Sequence, residues 1–263
     1  IVGPSGCGKS TFLRITAGLE QPSSGQIFLD GQPLTGTGPD RIMVFQEGAL
    51  FPWLNVQDNV EYGLKIAGIP KEERSQISNR YLDMMQLTQF ATSFIHQLST
   101  GMKQHVAIAR ALVMEPDVLL MDEPFSNIDG QVKRRMMADL RHLLKEHGIS
   151  CIFVTHAKEE AFAFADKTAV MINGHIEQLD NPAKVFNQPS TVAVAEFMES
   201  GNLTTLKHSQ QVLDKISHQW PRDIENSGYW LFKPQYLTLS HSLQSTGVEL
   251  IDSTYIGRGY QHD

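Results

Sequence analysis

The 263-residue chain contains only two cysteines, Cys7 and Cys151. Two isolated thiols make no disulfide framework, and such sparse use suits a reducing cytosol. Positive charge is not in excess: 22 Lys and Arg face 29 Asp and Glu, a formal net charge of -7. That balance argues against a general nucleic-acid-binding surface. No apolar run approaches the roughly 20 residues that a membrane-spanning helix needs. No signal peptide is recognisable at the first residues. Internal repeats and low-complexity tracts are absent too, so neither a solenoid nor a disordered linker is the main architecture. What remains is an ordinary globular composition, 41% hydrophobic, at a length that allows a sizeable core.

The informative stretch comes at once. Gly3-Pro4-Ser5-Gly6-Cys7-Gly8-Lys9-Ser10 fits the pattern G-x-x-x-x-G-K-[ST] of a phosphate-binding loop. Glycines let the backbone turn tightly and approach a polyphosphate with no Cβ in the way. The loop amides then point at phosphate oxygens, and the following helix adds its positive N-terminal end. Lys9 can reach the β- and γ-phosphates, and the Ser10 hydroxyl can ligate Mg²⁺. A glycine-rich turn ending in Lys-Ser is the plainer alternative. Such a loop normally follows a buried strand, of which only Ile1 and Val2 stand before it. The sequence therefore reads as a piece that begins inside its first core strand. Gly257-Arg258-Gly259-Tyr260 likewise reads as the middle of a domain.

The rest of the chain alternates between two periodicities. Helices are expected over Thr11–Leu19, Lys71–Gln86, Val106–Met114, Gln131–His147 and Lys158–Ala165, the second with Ile77, Tyr81, Met84 and Met85 on one side. Strands are expected at Gln26–Asp30, Ile42–Phe45, Val118–Met121 and Cys151–Thr155. Thr168–Ile172 and His175–Leu179 flank Asn173-Gly174, a hairpin signal. Strands alternating with helices imply an α/β fold with a parallel sheet. After about Gly201 the texture changes to aromatic, strand-like segments near Tyr236–Leu239 and Val248–Ile251, with Trp220, Tyr229, Trp230 and Phe232. A domain boundary is placed near Glu199–Asn202, giving a domain over 1–200 and a second, partial one over 201–263.

Two further segments carry chemistry. Val118 to Met121 runs into Asp122-Glu123-Pro124, and acids at the carboxyl end of a buried strand lie where an α/β sheet binds its ligand. Asp122 can hold Mg²⁺ through water beside Ser10, and Glu123 can polarise a water for attack on a γ-phosphate. Leu98-Ser99-Thr100-Gly101-Met102-Lys103-Gln104 opens the helix that contains Ala107–Ala111. Ser99 is a good N-cap, and a small-residue helix start is either a second anion site or an ordinary capped helix.

Together these segments resemble the ATPase subunits of ATP-binding cassette (ABC) transporters. Leu98–Gln104 with Val106–Leu112 resembles the family's signature motif. Gly3–Ser10 looks like Walker A, Gln46 like the Q-loop and Val118–Glu123 like Walker B. Ser126-Asn127-Ile128-Asp129 is similar to the D-loop, and His156, after Phe153-Val154-Thr155, matches the switch histidine. The resemblance covers nearly all of residues 1–200. It implies a P-loop NTPase parallel sheet with a helical subdomain, and two cassettes in a head-to-tail dimer with two ATP molecules between them. Gly3, Pro4, Ser5, Gly6, Cys7, Gly8, Lys9, Ser10 and Thr11 would then hold ATP. Ser99, Gly101 and Gln104 would reach the partner's nucleotide. Glu123, His156 and Gln46 would carry the hydrolytic step, and Ser10, Gln46 and Asp122 would hold Mg²⁺. Three positions depart from the pattern: Thr100 where Gly is usual, Met102 for the commoner Gln, and Ala157 where Asp is usual.

Ala49-Leu50-Phe51-Pro52-Trp53-Leu54-Asn55-Val56 follows Gln46, with Asp58-Asn59-Val60 after it. An apolar group just after a nucleotide sensor suits docking of a partner helix, although both aromatics could simply be core. The segment resembles the part of bacterial importer ATPases that receives membrane permease subunits. Phe162–Asp166 and the stretch to Phe197-Met198 look like the importer branch that includes ferric-iron, polyamine and sulfate systems. Trp230-Leu231-Phe232-Lys233-Pro234 resembles a strand of the small OB-like regulatory domain found after such cassettes. The implied protein sits peripherally on the cytoplasmic face of the cell membrane and energises uptake, with ferric iron as first guess for cargo. A periplasmic binding protein is an indirect partner, and nucleic acid is not one. The alternative is a soluble cassette ATPase acting in DNA repair or translation. The long coiled coil between Walker motifs and the paired cassettes of those relatives are both missing here.

Overall fold

Leu119, Leu120 and Met121 are wholly buried, and the strand that carries them is the middle of a parallel sheet. The computed structural model describes residues 1–46, 49–126 and 128–199, and the backbone of strands at 202–205, 229–232, 237–242, 245–250 and 254–255. The chain divides into two compact units: Ile1 with Gly8–Phe164, and Val2–Cys7 with Ala165–Asp263.

The first unit runs α1 (Lys9–Thr16), β1 (Phe28–Leu29), β2 (Gln32–Pro33), β3 (Arg41–Val44), α2 (Val56–Ile66), α3 (Lys71–Met84), α4 (Thr100–Leu112), β4 (Val118–Asp122), α5 (Gly130–Glu146), β5 (Ser150–Val154) and α6 (Lys158–Phe164). Strands β3, β4 and β5 lie side by side and parallel, with Val44 opposite Met121 and Asp122 opposite Val154. Parallel neighbours require long crossovers, which α2 to α4 and then α5 supply. A strand covered on both faces reads as a continuous apolar run, the reason Val118–Met121 was legible. Leu13 of α1 and Ala17, which caps its C-terminal end, pack with Leu120 and Val154, with Met43, Val118 and Ile152 around them. Phe125, Phe153 and Phe164 fill the neighbouring space, the last two edge to face with ring centroids 4.9 Å apart. Each such side chain contributes about 1.5–3 kcal/mol by leaving water.

Between β3 and β4, α2 was not anticipated by the apolar pattern. Its start is capped by Asn55, whose side chain accepts the Asp58 N–H at 2.7 Å. Its inward face carries polar Asn59 and Glu61 alongside Val56, Val60 and Leu64, so hydrophobic periodicity is broken. Buried Glu61 accepts from Arg74 at 2.9 Å and from Ser75 and Ser78 at 3.0 Å each. Burial alone would raise its carboxyl, but these bonds and one from Gln57 outweigh it and hold the group below its ordinary value.

The second unit holds β6 (Thr168–Ile172) and β7 (His175–Asp180), joined through Asn173 and Gly174, then α7 (Pro182–Asn187) and α8 (Val192–Met198). Both turn residues have positive φ, 49° and 81°, as the expected tight hairpin demands. A register shift between Val170 and Met171 interrupts the pairing. Val2 pairs in parallel with Val170. Beyond these come β8 (Asn202–Thr205), β9 (Tyr229–Phe232), β10 (Leu237–Ser242), β11 (Ser245–Leu250) and β12 (Thr254–Tyr255). They pair antiparallel in the order β12-β9-β8, and β10 with β11. The change to β texture after residue 201 is thus present in the backbone. Asn127, Gly201, Trp220, Lys233, Pro234, Tyr236, Ile251 and Gly257–Tyr260, all singled out above, lie outside the described residues. Among the described residues no helix is long and apolar enough to cross a membrane.

Candidate active site

The ends of β4 and β5 gather the first unit's polar side chains. Asp122 closes β4 and is 9% exposed. Ser10, the second residue of α1, donates its hydroxyl to Asp122 Oδ1 at 3.0 Å. Glu123 extends the ladder by one bond, its N–H reaching the Val154 carbonyl at 3.0 Å. The backbone then turns sharply: Glu123 has φ 45°, a left-handed conformation that non-glycine residues adopt at a cost. The turn frees its carboxylate for two partners. Gln46 Nε2 donates to Oε2 at 3.3 Å, and His156 Nδ1 lies 3.1 Å from Oε1. This contact with an accepting carboxylate assigns the proton to His156 Nδ1.

The phosphate-loop residues are placed as follows. Gly3 is buried, and a Cβ there would lie 2.0 Å from the Met171 carbonyl oxygen, so only glycine fits. Pro4, Ser5 and Gly6 are exposed, while Cys7 is buried and its carbonyl accepts the Gly174 N–H at 3.1 Å. All of these belong to the second unit. Gly8, in the first unit, precedes α1 at φ 101° with no side-chain cap. The helix amides therefore start without an internal side-chain acceptor, the arrangement that favours an anion. Lys9 is buried and Thr11 exposed.

The signature-like segment is built differently. Ser99 and Thr100 are exposed, and Ser99 caps α4 by accepting the Met102 N–H at 3.3 Å. The open side of Gly101 meets nothing nearer than Ile128 Cγ2 at 4.0 Å. Gln104 is turned inward, 6% exposed, with no partner for Nε2 among the described residues. Hydrogen bonding thus brings Ser10 to Asp122, and Gln46 and His156 to Glu123, while Ser99, Gly101 and Gln104 stay outside that cluster.

The aromatic segment after Gln46 faces outward. Trp53 is 70% exposed and Tyr62 38%. Phe51 bridges them, with ring centroids 5.5 Å from Trp53 and 4.4 Å from Tyr62. Two residues to which the sequence reading gave no separate role hold this surface from beneath. Fully buried Asn59 accepts the Phe51 N–H at 2.9 Å and donates to the carbonyls of Phe51, Leu54 and Asn55 at 3.1, 3.2 and 2.9 Å. Arg110 of α4 lies 5.4 Å over the Phe51 ring and donates to the Ala49 carbonyl at 3.0 Å. Burial pulls its guanidinium below the ordinary value. A polar residue one turn inside α2 is the only signal the sequence offers for Asn59.

Ser10 and Asp122 offer a hydroxyl and a carboxylate, and Gln46, bonded to the adjacent Glu123, an amide. Such hard oxygen ligands suit Mg²⁺, which takes few protein ligands and completes its shell with water and phosphate oxygens. No group of three or more His, Cys, Asp or Glu side chains placed for a metal occurs among the described residues.

Comparisons with known proteins identify the family. Residues 1–126 match the family model described as ABC transporter. The chain is 40% identical to the Fe(3+) ions import ATP-binding protein FbpC of Escherichia coli O157:H7, over 99% of this chain and 77% of that protein. It is 44% identical to FbpC 1 of Haemophilus influenzae, over 84% of this chain and 68% of the relative. Among solved structures, cbiO1 from Clostridium perfringens, part of the ABC transporter complex cbiONQ, superposes with a TM-score of 0.66 at 32% identity, covering 71% of this chain and 78% of that one. The ATP-binding cassette MJ0796, a dimer bound to ADP and Pi, superposes with a TM-score of 0.62 at 31% identity, over 69% and 83% of the two chains. The fold is that of ABC cassettes, and the chain belongs to the ABC transporter family, among its ATP-binding proteins.

Proposed function

We propose that this cassette is the ATP-hydrolysing subunit of a bacterial importer that takes up ferric iron through separate membrane subunits. The cargo is supported by the names of relatives that this chain resembles over most of its length. Residues Gly3–Ser10, with Thr11, hold the triphosphate, and Lys9 reaches its β- and γ-phosphates. Ser10, Gln46 and Asp122 would hold Mg²⁺. Bound Mg²⁺ supplies charge neutralisation on the phosphate oxygens.

Glu123 accepts a proton from the attacking water, whose oxygen bonds to the γ-phosphorus as the bond to the ADP oxygen breaks. His156 steadies the γ-phosphate, and inorganic phosphate and ADP leave. The observation that carries this reading is the Glu123 carboxylate, held at a buried strand end between Gln46 and His156. Replacing it by Glu123→Gln keeps the shape and removes the base. ATP affinity should stay within about threefold while turnover drops about 100-fold or more. Hydrolysis at the original rate would refute the assignment.

Ser99 and Gly101, with Gln104 beneath them, complete the ATP site of a second copy of the chain. Phe51 and Trp53 receive the permease, which places the subunit on the cytoplasmic face of the membrane, and a periplasmic binding protein delivers the iron. Residues 1–200 form the nucleotide-binding domain, and 201–263 form part of an OB-like regulatory domain. Ferric-iron uptake that persists in cells carrying only the Trp53→Ala protein would count against the docking role.

A further inference from the structure

We infer that Glu160 is a positioning residue that aims His156 at Glu123 and ties the histidine loop to the start of α5. This rests on the roles of His156 and Glu123 proposed above. Glu160 lies in the first turn of α6 yet is only 4% exposed. Its Oε2 accepts the Thr155 hydroxyl at 2.6 Å, and its Oε1 accepts Lys133 Nζ at 2.7 Å. A buried carboxylate is tolerated only with such partners, so both oxygens are committed.

The consequence falls on His156. Thr155 directly precedes it, and the Thr155 hydroxyl also accepts the Ala157 N–H at 3.0 Å. Thr155 N–H itself donates to the Ile1 carbonyl at 3.0 Å. The chain is therefore pinned on both sides of His156, whose ring then meets Glu123 at 3.1 Å. Lys133 carries the linkage to a second element. It stands in the first turn of α5, just after Asp129, whose carbonyl its N–H meets at 2.8 Å. A favourable interaction of Glu160 with the α6 N-terminus is the ordinary use of an acid at this place. That use does not require burial, nor a cation from another helix, nor a hydroxyl next to the histidine.

The test measures steady-state ATP hydrolysis by the full chain and the ¹⁵N signals of the His156 imidazole. Glu160→Gln and Thr155→Val should each lower kcat about 10- to 100-fold, as small misplacements of catalytic groups do. KM for ATP should stay within about threefold, and the His156 tautomer signals should change. Thr155→Ser, which keeps the hydroxyl, should restore both readouts. The double variant should lose little more than either single one, because both act through one linkage. Folded Glu160→Gln with original kcat, or with lowered kcat and unchanged His156 signals, would overturn the inference. If Glu160→Gln does not fold, Lys133→Met and Thr155→Val carry the test, and original kcat in both overturns it. His156→Ala separates the two levels: full turnover there refutes the underlying reading and the positioning role with it. A large loss there, beside unaffected Glu160→Gln, refutes the positioning role alone.

Discussion

Two regions of the first unit are finished to different degrees. At the ends of β4 and β5, side chains satisfy one another: Ser10 with Asp122, and Glu123 with Gln46 and His156. At the start of α4 and over the Phe51–Tyr62 surface, groups point outward. Ser99 does no more than cap its helix, Gly101 has only Ile128 Cγ2 in reach of its open side, and Trp53 is largely in water. The first region is a charged cluster that one chain can assemble, because the sheet ladder fixes its backbone. In the second, the supports of the aromatic surface, Asn59 and Arg110, are internal while Trp53 is not. A single copy of the chain thus carries the groups proposed for hydrolysis and, separately, the surfaces proposed for other chains.

The contrast can be attacked directly. The largest effect is expected at Gly101. Gly101→Glu puts a carboxylate where the proposed partner's triphosphate would lie, and like charges at close range repel strongly. Turnover should fall about 100-fold, by analogy with loss of a preorganised phosphate contact, with ATP binding by one chain unaffected. Mixing Gly101→Glu with Glu123→Gln chains should recover activity that neither has alone, since each supplies the half the other lacks. No recovery would mean that the outward half is not shared between chains.

A smaller effect is expected beneath the aromatic surface. Asn59→Ala leaves backbone groups of Phe51, Leu54 and Asn55 without their buried partner. It should cost about 2–3 kcal/mol in urea unfolding, while the folded fraction hydrolyses ATP at its original rate. An equal loss of turnover per folded molecule would blur the distinction between the two regions.

The smallest effect concerns pH. Glu61 is held below its ordinary carboxyl value in the folded chain. Its stabilising contribution is therefore present above the unfolded carboxyl range and lost as pH falls through the lowered folded value. Stability measured down from pH 7 should drop less steeply below about pH 4 in Glu61→Gln than in the original chain. A parallel drop would remove Glu61 from the account.

The uneven legibility of the sequence follows the same divide. Strand β4 was readable because burial on both faces demands consecutive apolar residues. The hairpin at Asn173-Gly174 was readable because its turn requires those residue types, though not the irregularity at Val170. Helix α2 was not readable, since Asn59 and Glu61 occupy its inward face. Helices α7 and α8, six and seven residues long, are too short to show a period. In the site, Ser10 stood out through the phosphate-loop pattern, and Asp122 and Glu123 through their place at the end of an apolar run, whereas Gln46 and His156 were singled out by the family resemblance alone. Glu160 and Lys133 did not stand out, because a pairing across 27 residues leaves no local pattern.

Glu123 also sets two selective demands against each other. Its φ of 45° is one that glycine would adopt freely, whereas a side-chain-bearing residue gives up about 1–3 kcal/mol there. The residue most favourable for folding and the residue that the proposed chemistry needs thus differ at this one place. A lineage released from the need to hydrolyse ATP would drift away from glutamate here and gain stability as it did so.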